Sequence, residues 1–89
     1  MNIYRLSVAD ENFPGWRYST HKGIVFIRAE SEARARSLAD GAFLKYALIE
    51  FGQKTSHAPW RDAAAVDVAL YDGDEFSILG EEEILSPER

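Results

Sequence analysis

Residues 31–51 read SEARARSLADGAFLKYALIEF, and they decide the fold because no other stretch is long and regular enough to specify a helix on which the rest can pack. Ser31 precedes Glu32, Ala33 and Arg34, so its hydroxyl is placed to accept from a free N–H of the first turn while Glu32 meets the positive end of the helix dipole. Gly52 follows Phe51 where a left-handed residue ends a helix, and residues 53–59 carry no helical period. Spacing of about 100° per residue gathers Ala35, Leu38, Ala39, Ala42, Phe43, Tyr46 and Ile49 into one stripe. This stripe is expected to face a sheet: its alanines admit close approach, and Phe43 with Tyr46 supplies buried area.

A second stripe lies opposite the first. Leu44, Ala47, Leu48 and Phe51 share it in the C-terminal half, whereas Arg34, Ser37 and Asp40 occupy that side of the N-terminal half. A contiguous apolar stripe needs a cover, either residues 53–62 folding back with Pro59 and Trp60 or another chain. Leu44, Ala47, Leu48, Phe51 and Trp60 are therefore the expected interaction surface, for a second copy or for a different protein.

Outward from the helix the strands are short. Tyr4, Leu6 and Val8 alternate with Arg5 and Ser7, giving strand one, and Ile3 begins its other face. In DENFPG, residues 10–15, Pro14 and Gly15 suit a type II corner. Trp16, Tyr18 and Thr20 alternate with Arg17 and Ser19, the period of a further short strand. Ile24, Val25, Phe26 and Ile27 form an unbroken apolar run, a central strand with both faces covered. One helix covers one face, so either Ile24 with Phe26 or Val25 with Ile27 points to the other, which residues 10–23 are available to fill.

After the helix, Val66, Val68 and Leu70 alternate with Asp67 and Ala69 as strand three, with a start left open by Ala63, Ala64 and Ala65. Asp72 and Gly73 read as a hairpin turn into a fourth strand over residues 76–79, extending past Gly80 as a bulge to Ile84. Glu81, Glu82 and Glu83 suit an edge that resists pairing, at the start of an acidic, frayed end. The expected fold is α+β, a two-layer sandwich in β-β-α-β-β order, with one long helix on a mostly antiparallel four-stranded sheet and strands two and three running parallel.

Eighty-nine residues make one domain, 1–89. Absence of cysteine removes disulfides, thiol nucleophiles and thiolate metal sites. No run approaches the roughly 18 apolar residues of a membrane span and no apolar leader follows Met1, which points to a cytoplasmic protein without membrane partners. The net charge of −5 is unevenly distributed: residues 1–61 hold nine Lys or Arg against six acids, and residues 62–89 hold one against nine. The two parts are expected to neutralise each other across the folded surface.

Candidate chemistry is sparse. Asp72, Asp74 and Glu75 flank Gly73 but lack the spacing of a calcium loop. His21 and His57 fall in different loops, and Ser56 beside His57 implies no triad. The glycines form no phosphate-binding loop. Glu30 and Glu32 beside Arg34 and Arg36 read as a solvated first turn. Trp16, Arg17, Tyr18, Lys22, Arg28, Arg34 and Arg36 interleave rings and cations as single-stranded nucleic-acid grooves do, without an accompanying motif. The first functional expectation is a non-catalytic, cofactor-free interaction module that self-associates as a homodimer, and the alternative is a nucleic-acid-binding accessory protein using residues 16–36.

Overall fold

The computed structural model describes residues 1–43 and 59–87. Strands β1 (Asn2–Val8), β2 (Val25–Ala29), β3 (Val66–Leu70) and β4 (Glu83–Ser86) form one sheet in the order β3-β1-β2-β4, with every neighbouring pair antiparallel. Helix α1 (Glu32–Phe43) packs on it, giving the expected α+β fold. Since β2 and β3 both pair antiparallel with β1, they run in the same direction, and α1 lies in the connection that steps over β1.

The helix begins as its sequence dictates. Arg34 N–H donates to Ser31 Oγ at 3.2 Å, and Glu32 accepts from Arg36 Nε one turn on at 3.2 Å. Ala35, Ala39 and Phe43 are buried, with Leu38 and Ala42 half-buried beside them. Tyr46, Ile49 and the expected stop at Gly52 lie outside the described residues. Asp40 departs from expectation: it is buried, accepting a 2.8 Å bond from Arg61 Nε.

The strand alternation sorts the two faces. The pairs Tyr4 with Ile27 and Leu6 with Val25 share the helix side, where they join Val66 and Val68 in the core. Phe26 and Ile24 therefore take the other face.

Several sequence expectations fail for long-range reasons. Residues 16–20 form no extended strand; Pro14–Tyr18 is a 3-10 helix with proline in its first turn. Trp16 drives this, because its indole N–H donates to the Asp10 carbonyl at 2.7 Å and its ring meets Trp60 edge-on, 5.4 Å away at 89°. Gly15 has no positive φ, so the type II corner is absent as well.

The hairpin at Asp72 and Gly73 is also absent. β3 and β4 sit on opposite edges of the sheet, and residues 71–82 cross between them. Residues 76–79 are not a strand, and β4 starts at Glu83 within what reads as a fraying end. The crossing covers the outer face: Phe26 lies 4.7 Å from the Tyr71 ring and 5.2 Å from Phe76. It is thus residues 71–82, and not 10–23, that cover this face, while Ile24 remains half exposed.

The start of β3 is set locally. Asp62 accepts from Ala64 N–H through Oδ1 at 2.8 Å and from Ala65 and Val66 N–H through its carbonyl, both at 3.0 Å. Ala63, Ala64 and Ala65 are consequently a turn.

Candidate functional site

The interaction stripe expected on the helix, Leu44, Ala47, Leu48 and Phe51, lies outside the described residues. Its fifth member, Trp60, is a core residue at 1 % exposure. Pro59–Arg61 form another 3-10 turn that drops this indole between Trp16 and Phe43, and its N–H donates to Ser19 Oγ at 2.9 Å. A turn beside a proline delivers the largest ring inward, so Trp60 presents no side chain to a partner.

The basic and aromatic set is dispersed by the fold. Trp16 is buried. Arg28, 8 % exposed, donates to the carbonyls of Glu81 at 2.7 Å and Ser77 at 3.0 Å and pairs with the Glu83 carboxylate. Arg34 pairs with Glu82 at 2.8 Å. Arg36 ties α1 to the carbonyls of Trp60 at 3.3 Å and Val66 at 3.0 Å, besides its bond to Glu32. Lys22 donates to the Glu11 carbonyl at 2.8 Å, with its ammonium 5.9 Å from the Trp16 ring. Arg17 is exposed, and the Tyr18 side chain lies outside what is described. These groups hold elements together, and the structure does not gather them into one groove. Arg28 with Glu83 and Arg34 with Glu82 join the basic part of the chain to the acidic part, as the charge distribution suggested.

Two local charge effects follow from these contacts. Arg34 holds the Glu82 carboxyl below its usual range, helped by the Glu30 N–H that donates to Glu82 Oε2 at 3.1 Å, and Glu82 in turn raises Arg34. Donation of the Tyr71 hydroxyl to the Glu75 carboxylate raises the tyrosine above its ordinary value. Glu75 of the acidic turn is thereby occupied, and no group of three or more metal-ligating side chains occurs among the described residues. His21 packs against both Phe43, at 5.0 Å, and Trp60, at 6.1 Å, and its Nε2 is buried without a hydrogen-bond partner.

The surface with unanswered apolar area is elsewhere. Leu70 (68 % exposed), Ile78 (57 %) and Leu79 (79 %) surround a groove of about 710 Å³ whose lining includes the buried Ile3. Met1 lies close by, its amino group 3.3 Å from the Ile78 carbonyl. The groove adjoins the end of β3, an edge strand with no outer neighbour among the described residues.

The two edges differ. β4 carries Glu83, follows Glu81 and Glu82 and ends before Pro87, a set that discourages further pairing. β3 reads VDVAL, with Asp67 as its single charge. Sequence reasoning missed this surface because Leu70 looked like an inward strand position. The available signal was the turn-forming Asp72 and Gly73 immediately after it, which mark the strand's last residue as a rim position.

No helix among the described residues is long and apolar enough to cross a membrane. No protein-family model, curated protein or solved structure matches the chain.

Proposed function

We propose that this chain is a small protein–protein interaction module that acts by self-association into a homodimer, without a reaction of its own. One observation carries the reading: Leu70, Ile78 and Leu79 are exposed together around the groove beside an almost uncharged edge strand, while the opposite edge is guarded by carboxylates and a proline. Apolar residues clustered this way mark interaction sites, and a two-fold pair of identical chains buries such a surface on both partners at once.

Light scattering across a concentration series, at low and high salt, tests it. The molar mass is expected to rise toward twice the 10.0 kDa of the chain, and to do so at both salts because apolar contact and backbone pairing are weakly screened. A mass that stays at the single-chain value throughout contradicts the reading.

A further inference from the structure

Resting on that reading, we infer that a second copy is held by two residues, Val68 and Leu70, which meet the same two residues of the other chain across a two-fold axis at Ala69. Only this short part of the strand edge is open. Tyr71 N–H donates to the Ile3 carbonyl and Ala9 N–H to the Ala65 carbonyl, both at 2.8 Å. In an antiparallel ladder alternate residues turn both backbone groups to the same neighbour. Residues 65, 67, 69 and 71 therefore face β1, and Val66, Val68 and Leu70 face away from it. Val66 is buried and closed to a partner, because its N–H donates to the Asp62 carbonyl and its carbonyl accepts from Arg36 Nη2, both at 3.0 Å. Among the described residues nothing bonds to the outward groups of Val68 and Leu70.

The closed end selects the register. An axis at Asp67 or Val68 needs the Val66 groups. An axis at Leu70 pairs that residue alone, because the chain leaves the strand edge at Tyr71, whose ring lies over Phe26 on the outer face. With the axis at Ala69, Val68 of each copy stands opposite Leu70 of the other, and each pair exchanges N–H and carbonyl bonds, about four in all by ladder geometry. The second copy also turns away after its Tyr71, so it does not run on along Val66.

The side chains agree with this register. Val68 and Leu70 stand opposite Leu6 and Tyr4 and so share the helix side of the sheet. Leu70, 68 % exposed in the single chain, comes to lie against the half-buried Val68 of the second copy. On the outer face Ala69 meets Ala69, where a small side chain admits the close approach of a non-hydrogen-bonded pair. Asp67 meets Tyr71, so carboxylates do not oppose each other.

The chain has no cysteine, so one introduced cysteine reports the axis by itself. Residue 69 is exposed and stands opposite its counterpart with Cα atoms about 4.5 Å apart, within disulfide range. Residue 67 is also exposed but lies about 14 Å from its counterpart along the strand. Mild oxidation of Ala69→Cys is expected to give disulfide-linked dimer at least about tenfold faster than oxidation of Asp67→Cys. As a second measurement, Ala69→Lys and Ala69→Asp each set like charges opposite one another and are expected to weaken the dimer about fivefold, while their equimolar mixture associates at least as tightly as the parent. Light scattering on the reduced samples separates the failures. A dimer in which residues 67 and 69 cross-link at equal rates, and whose charged variants gain nothing on mixing, overturns the Ala69 axis while self-association stands. A monomer at all concentrations overturns both.

Discussion

Arg28 and Glu81 are joined by a 2.7 Å hydrogen bond from the guanidinium Nε to the backbone carbonyl, which fastens residues 71–82 to the outer face of the sheet. The same side chain reaches Ser77 and Glu83, so one buried cation organises the crossing that separates β3 from β4. Replacing Arg28 with Met preserves bulk but leaves these acceptors without their donor. Stability to urea should fall by about 2–3 kcal/mol, with amide exchange in residues 71–82 accelerating more than in α1. A loss below about 0.5 kcal/mol, the size of an ordinary surface change, would remove Arg28 from this role.

Gly80 is the described glycine with positive φ, +126°, and a Cβ there would stand 2.7 Å from Arg28 Nη2. Gly80→Ala should therefore cost about 1–3 kcal/mol. Because part of that cost is collision with Arg28, the penalty should shrink in the Arg28→Met background. Denaturation of the two single variants and the double variant measures the coupling, and strict additivity would argue for backbone strain alone.

In the aromatic core, Ser19 Oγ both receives the Trp60 indole proton at 2.9 Å and donates to the His21 carbonyl at 2.6 Å. Ser19→Ala should lower stability by about 1–2 kcal/mol by leaving the buried indole N–H unpaired. His21→Phe should have the opposite sign or none, since it keeps a ring against Phe43 and Trp60 and removes the orphaned Nε2. Thermal unfolding of both variants distinguishes them. Destabilisation by His21→Phe would mean that the imidazole makes a contact the ring stacking does not account for.

The Arg34–Glu82 pair makes a prediction about acid. Glu82 titrates below the usual carboxylate range in the folded chain, so its contribution is fully present above the unfolded-state value of about 4.3. It disappears as pH falls through the lower folded value. Glu82→Gln should flatten the stability profile within that acid window and leave its slope between pH 6 and 8 unchanged. Urea midpoints of the two proteins across pH test this, and parallel profiles in acid would contradict it.

The parts of this fold legible in the sequence are those fixed by neighbours along the chain. Alternation placed β1 and β3, the Ser31 cap placed the start of α1, and the apolar run at 24–27 marked β2 as central with both faces covered. Where a distant partner decides, local signals misled. The Asp72–Gly73 dipeptide is a hairpin signal in isolation, yet Phe26 and Arg28 on the outer face draw the following residues across the sheet instead. Likewise the alternation from Trp16 to Thr20 yields to the packing of Trp16 against Trp60, 44 positions away and invisible to periodicity. The candidate surface followed the same logic: Leu70 continues a core-facing alternation but ends beyond the cover of α1, so its exposure depends on where the sheet stops.

Self-association through the apolar surface around Leu70 is reported directly by the amides of Val68 and Leu70, which face away from β1 at the strand edge beside it. Hydrogen exchange at these two positions, measured across the concentration range over which molar mass is followed, should slow by at least about tenfold as dimer forms, because their N–H groups pass from solvent into the contact. Amides of β1 and β2, already paired within the chain, should slow only with global stability. Fast, concentration-independent exchange at Val68 and Leu70 in a sample that scatters as a dimer would contradict this surface as the site of self-association.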